Sequence, residues 1–229
     1  ARHTALGPEF LPFCEVIDAR SLVNGVIGLM ATGGSTNLMI HILAMARSVG
    51  YEMTLADIAE LSQVTPLLAR IYPNGSADVN QFHAAGGMAF VIRELLAADL
   101  LHADARSVIG EPISAYAREP SLSQGHLYWK EAPADSGDES ILRPAGNPFS
   151  PQGGLCRLQG NLGEAVIKIS ALDESKWRVS APARVFDSQQ AMARAHKAGE
   201  LNGDMVAVVR YQGPRANGMP ELHKLTPTL

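Results

Sequence analysis

The chain has 229 residues, of which 46% are hydrophobic, 18% charged and 6% aromatic, with 19 Lys plus Arg against 23 Asp plus Glu and a formal net charge of −4. That is enough chain for one large or two ordinary domains with a buried core, and it is too apolar for a disordered tail. The acidic balance argues against a dedicated nucleic-acid binder, which carries a basic excess. Cys14 and Cys156 lie far apart with no CxxC, so they build neither a disulfide framework nor a four-ligand zinc site; a reduced, cytoplasmic setting is expected. Both read as structural thiols of the kind proteins bury. The chain opens Ala-Arg-His-Thr, with no signal pattern and no initiator Met, so a piece of a longer polypeptide is expected.

In chain order, Asp18 can cap a helix running through Leu22, Val26 and Leu29, and Ser35 a second with Leu38, Ile42, Met45 and Val49 along one face. No Asp, Glu, Lys or Arg occurs from Ser21 to Ala46, long enough to span a bilayer. Thr32-Gly-Gly-Ser-Thr-Asn37 at its centre would break the helix and strand polar groups in lipid, so two short buried helices are expected instead of a membrane span. Thr54-Leu-Ala-Asp57 resembles a capping box before Ile58 and Leu61, and Pro66 ends or kinks the segment after them. Gln81 to Ala98 predicts another helix, weakened at Gly86-Gly87 by about 1 kcal/mol per Gly relative to Ala. Asp104 could start a shorter one.

From about Glu119 to Gln152 the chain is rich in Pro, Gly, Ser and Asp without sustained periodicity, which predicts a connector. Residues 1–147 hold 9 basic and 16 acidic side chains, and residues 148–229 hold 10 and 7. Beyond the connector, Gly154–Gln159, Ala165–Ser170, Ala183–Phe186 and Met205–Tyr211 predict strands. Gly160-Asn-Leu-Gly163 predicts a hairpin turn. One helix interrupts the strands, capped by Asp187 and stopping at Gly199. The expected class is α+β or α/β, with a mainly helical part over 1–147 followed by a β-rich part over 148–229.

Three segments could carry chemistry. In Ala31-Thr-Gly-Gly-Ser-Thr-Asn37 the glycines permit a tight turn, and Ser35, Thr36 and Asn37 offer two hydroxyls and an amide beside the unpaired N–H groups of a helix start. That suits a carboxylate or phosphate, although a Gly turn with a Ser cap between packed helices explains the same residues. Pro73-Asn-Gly75 through Asp78-Val-Asn80 to Phe82-His-Ala-Ala-Gly-Gly87 carries His83 and Asp78, of acid/base or ligand type; the alternative is a cap and a hydrogen-bonded histidine. Arg210-Tyr-Gln-Gly-Pro-Arg-Ala-Asn-Gly-Met-Pro-Glu-Leu-His-Lys224 comes directly after a predicted strand. Arg210, Arg215 and Lys224 suit an anion there, and Glu221 is a hard oxygen ligand of the type Mg²⁺ prefers. A solvated basic loop is the alternative.

Together with Gly160-Asn-Leu-Gly163, these blocks resemble the dihydroxy-acid dehydratase/phosphogluconate dehydratase family. The run from Gln212 to Lys224 is most similar to its 6-phosphogluconate dehydratase branch. The resemblance implies a cytoplasmic hydro-lyase of the Entner–Doudoroff route. It converts 6-phospho-D-gluconate to 2-dehydro-3-deoxy-6-phosphogluconate with an iron–sulfur cluster and Mg²⁺. It implies a helical segment of an α/β cluster-binding domain, then part of a barrel-like β-rich domain. Glu221 maps onto the metal-ligand position. Ser35, Thr36, Asn37, His83, Arg215, Asn217, His223 and Lys224 are the substrate-binding candidates.

The family's three cluster cysteines have no counterpart here, nor does the Asp-Gly-Arg-x-Ser-Gly segment that supplies its catalytic serine. No catalytic residue is therefore assigned to this chain, and alone it is expected to be inactive. The expected partner is a phosphorylated sugar acid, with neither nucleic acid nor membrane, and self-association through apolar surface is expected. The alternatives are a related dihydroxy-acid or sugar-acid dehydratase, or a non-catalytic ligand-binding or assembly module.

Overall fold

The computed structural model describes residues 9–213 and Leu225. The chain divides into two compact units, residues 1–173 and 174–229. The first unit holds the helices α1 (Ala19–Ala31), α2 (Thr36–Ser48), α3 (Leu55–Val64), α4 (Val79–Ala84) and α5 (Gly87–Ala97), and the first three start at the predicted caps Asp18, Ser35 and Thr54. The Asp18 carboxylate accepts from the Ser21 N–H at 2.8 Å, while the Ser21 hydroxyl lies 2.9 Å from the Asp18 N–H, closing a capping box. Thr54 and Asp57 close a second at the start of α3. Each box satisfies helix-end donors that would otherwise be orphaned.

The charge-free segment is broken where expected, at Gly33 and Gly34, and no helix among the described residues is long and apolar enough to cross a membrane. The buried face of α2 differs from the predicted one. Met39, Ile42 and Ala46 point inward, whereas Leu38, Met45 and Val49 are exposed. Only Ile42 belongs to both faces, because the Gly turn sets the phase at which α2 meets α1.

The single helix expected over Gln81–Ala98 is two. Gly86 takes φ 134° and Gly87 φ 59°, and a Cβ on Gly86 would come within 2.9 Å of the Phe90 Cβ. These are glycine conformations that end one helix and redirect the chain into the next. No helix starts at Asp104, which pairs instead with Arg20; a short 3₁₀ turn lies further on, at Ile113–Ala117.

The predicted connector is part of the first unit. It opens with a hairpin of β1 (Arg118–Ser123) and β2 (His126–Glu131), whose Gln124-Gly125 turn has both φ values positive, at 49° and 79°. That is the left-handed two-residue loop that matches strand twist. Tyr116 and Trp129 meet edge to face, their rings 5.7 Å apart at 87°. Further on, Arg70 N–H donates to Ile141 O at 2.8 Å and Arg143 N–H to Leu68 O at 2.8 Å, so Ile141 and Leu142 enter the core.

That core surrounds Ile27, Leu68, Phe82, Phe90, Leu95 and Leu142. A second cluster gathers Leu22, Val26, Met30, Ile42, Ile58 and Leu155. Leu155 belongs to the hairpin of β3 (Leu155–Gly160) and β4 (Gly163–Lys168), turned at Asn161-Leu162 as predicted. Ser62, buried in α3, accepts the Leu155 N–H on its hydroxyl at 3.0 Å and the Gly153 N–H on its carbonyl at 2.8 Å, fixing the hairpin to the helices.

In the second unit, β5 (Ala183–Phe186) and β6 (Val206–Val209) pair in parallel, joined by α6 (Gln189–Lys197). Ser188, not Asp187, caps α6, accepting the Ala191 N–H at 3.0 Å. Asp187 is instead held by Arg210, at 2.8 Å from its Nε. Phe186, Met192 and Ala195 form this unit's core. The class is α+β, and the described residues form small two-stranded sheets with no closed barrel. Cys156 is half-buried but Cys14 is exposed, so burial does not account for Cys14.

Candidate functional site

The turn between α1 and α2 is a meeting point of three distant parts of the chain. Gly33, at φ 59°, turns the backbone after α1, and its carbonyl accepts the Asn74 side-chain amide at 2.7 Å and the Lys168 ammonium at 2.6 Å. The same ammonium donates to the Gly34 carbonyl at 3.0 Å. Ser170 in turn donates to the Asn74 Oδ1 at 3.3 Å. Asn74 is presented by a tight turn after the cis Tyr72–Pro73 peptide, in which the Asn74 N–H donates to Ile71 O at 2.8 Å. A Cβ on Gly33 would fall 1.8 Å from the Asn74 Nδ2, so any other residue here would displace that amide. Lys168 is half-buried, and desolvation pushes its ammonium below the ordinary lysine range.

Beyond this turn Ser35 caps α2, accepting the Asn37 N–H at 3.2 Å. Ser35 and Asn37 are exposed and Thr36 half-buried. Gly34 and Leu38 also line a cavity of about 530 Å³ between α1, α5 and the 105–116 segment. Its wall is mainly apolar, and the one cation among its described lining residues, Arg106, is paired with Glu15.

A smaller cavity of about 320 Å³ adjoins it, sharing Met88, Ile92 and Tyr116. His83, Gly86, Gly87, Arg118 and Glu119 line this one. His83 is exposed at the end of α4, with its Nε2 3.5 Å from the Glu119 Oε1. Asp78 caps α4, accepting the Gln81 N–H at 2.9 Å. The glycine turn and the His83 segment thus reach neighbouring cavities. Arg215, Asn217, Glu221, His223 and Lys224 lie outside the described residues.

Sequence reasoning gave no role to Asn74, Glu119 or Lys168. Lys168 had no legible signal: alternation in a predicted strand puts it on the face opposite Ile167 and Ile169, as for an ordinary solvent-facing lysine. Glu119 had none either, because its hairpin was not foreseen. Among the described residues, no three His, Cys, Asp or Glu side chains cluster as a metal ion would require. Two separate thiols, one of them exposed, do not fit the three-cysteine cluster that the resemblance implies.

With this geometry, the family models for the N-terminal and C-terminal parts of dihydroxy-acid/6-phosphogluconate dehydratases match residues 5–116 and 140–229. The chain belongs to that dehydratase family. Among its relatives, the phosphogluconate dehydratase of Pseudomonas aeruginosa is 54% identical over all of this chain and 38% of its own length. That of Rhizobium meliloti is 56% identical over 99% of this chain and 38% of its own length. A dihydroxy-acid dehydratase of Polaromonas sp. is 37% identical over 93% of this chain and 36% of its own length. The chain therefore spans about two fifths of the length of the curated relatives it matches.

Proposed function

We propose that this chain works within a longer polypeptide as part of a hydro-lyase that dehydrates 6-phospho-D-gluconate to 2-dehydro-3-deoxy-6-phosphogluconate in the Entner–Doudoroff route. The observation that carries this reading is the identity to phosphogluconate dehydratases along the whole chain, 54% and 56% in two of them. In this reading Ser35, Thr36 and Asn37, which are exposed or half-buried, hold an anionic group of the substrate at the start of α2. His83 contributes from the adjoining cavity. Arg215, Asn217, His223 and Lys224 recognise the phosphate, and Glu221 binds Mg²⁺. Cysteines elsewhere in the polypeptide would hold an iron–sulfur cluster, which would supply Lewis acidity toward the departing hydroxyl. The division into 1–147 and 148–229, cytoplasmic location and self-association belong to the same proposal.

The test is turnover by the complete polypeptide. It should dehydrate 6-phosphogluconate far faster than gluconate or a branched dihydroxy acid, and Glu221→Gln should abolish its response to Mg²⁺. Equal turnover of phosphorylated and unphosphorylated acids would transfer the assignment to a sugar-acid or dihydroxy-acid dehydratase. No turnover of any of them by cluster-loaded protein would leave the non-catalytic module.

A further inference from the structure

Lys168 is an unusual lysine: it is half-buried, and its ammonium is engaged by two consecutive backbone carbonyls, with no carboxylate among its hydrogen-bond partners in the described residues. We propose that Lys168 is a positioning residue for substrate capture, holding the Gly33 and Gly34 carbonyls so that the Ser35 N–H and the start of α2 face the substrate's anionic group. This rests on the reading of Ser35–Asn37 as a substrate contact.

Peptide geometry supplies the reason. In a trans peptide the C=O and the next N–H point in opposite directions. Lys168 draws the Gly34 carbonyl toward itself, at 3.0 Å, and so turns the Ser35 N–H away. Among the described residues no backbone acceptor engages that N–H. The preceding N–H, of Gly34, is already committed to Leu29 O at 2.9 Å. A cation on the carbonyl side polarises the peptide, which strengthens its N–H as a donor to an anion on the other side. Glycine makes the device necessary, because Gly33 and Gly34 have little conformational preference of their own. Asn74 adds a second donor on the Gly33 carbonyl, at 2.7 Å. Neither Lys168 nor Asn74 lines the larger cavity, whereas Gly34 does, so both brace its wall from outside.

The experiment compares Lys168→Met, Lys168→Arg, Asn74→Ala and Ser35→Ala in the complete, cluster-loaded polypeptide, measuring KM and kcat for 6-phosphogluconate beside thermal stability. Lys168→Met should raise KM about tenfold, as loss of one charge-assisted contact at an oriented group implies. Lys168→Arg, which keeps two donors and the charge, should restore KM to within about threefold. Ser35→Ala, which removes the hydroxyl that caps α2, should raise KM in the native background and add little to Lys168→Met, since both loosen the same helix start. If Lys168→Met does not fold, Asn74→Ala carries the test with a KM rise of about threefold, as one neutral hydrogen bond implies.

A raised KM with Ser35→Ala beside unchanged KM in Lys168→Met, or in Asn74→Ala should the former not fold, overturns the role of Lys168 and leaves the Ser35 reading standing. Unchanged KM in Ser35→Ala overturns that reading and this inference with it. Lowered stability with unchanged KM in every folded Lys168 and Asn74 variant reduces Lys168 to a structural tether.

Discussion

Replacing Gly33 by alanine tests the architecture of the glycine turn most directly. Gly33 sits at φ 59°, where an L side chain costs about 1–2 kcal/mol. The new methyl would also lie 1.8 Å from the Asn74 amide, so Asn74 must swing away and give up its 2.7 Å bond to the Gly33 carbonyl. That loss is worth about 1 kcal/mol. The sum, about 2–3 kcal/mol, should lower the melting temperature of the unit over residues 1–173 by about 4–12 °C, at about 2–4 °C per kcal/mol for its size. Circular dichroism melts of the chain, with Asn74→Ala and the double variant, separate the two contributions. In the Asn74→Ala background Gly33→Ala should cost only its backbone part, leaving a coupling of about 1 kcal/mol. A Gly33→Ala melt indistinguishable from the native one, or a strictly additive cycle, would refute the packing of Asn74 against this turn.

Ser62→Ala should destabilise the same unit by about 1–3 kcal/mol, because the buried Leu155 N–H loses its acceptor; hydrogen exchange at the Leu155 amide should accelerate beyond that of neighbouring hairpin amides. Burial alone would raise the Asp18 carboxyl, but the Ser21 N–H and Arg20 outweigh it and hold the group below its ordinary value of 3.8. A carboxyl depressed on folding contributes stability that is present above pH 3.8 and is lost as pH falls through the lower folded value. Melts taken between about pH 6 and pH 2 should therefore decline less steeply for Asp18→Asn than for the native chain, and equal slopes would contradict the assignment.

The sequence was informative wherever one residue type decides a local structure. Asp18, Ser35 and Thr54 start helices because their oxygens accept helix-end N–H groups, and Gly160 and Gly163 close a hairpin. It was uninformative where tertiary packing decides. Arg118-Glu-Pro-Ser-Leu-Ser123 has no apolar alternation, so its pairing with β2 rests on the left-handed Gln124-Gly125 turn rather than on any strand pattern. Ile141 and Leu142 lie in a Pro- and Gly-rich stretch that looks like a linker, and only the Leu68 and Arg70 backbone shows that it is core. The inward face of α2 depends on how the glycine turn seats the helix, which no periodicity records. The site divides in the same way: Ser35 announced itself as a cap, whereas Lys168 acquires its meaning from a backbone 135 positions away.

The edge-to-face contact between Tyr116 and Trp129 gives the molecule a built-in optical probe. Tyr116 borders both cavities, and Trp129 stands behind it on the hairpin. The remaining indole, Trp177, belongs to the other unit and is half-exposed. Indole emission depends on the polarity and mobility of its surroundings, so with Trp177 changed to Phe the fluorescence of one ring would register whatever enters either cavity, without a label and on the timescale of mixing.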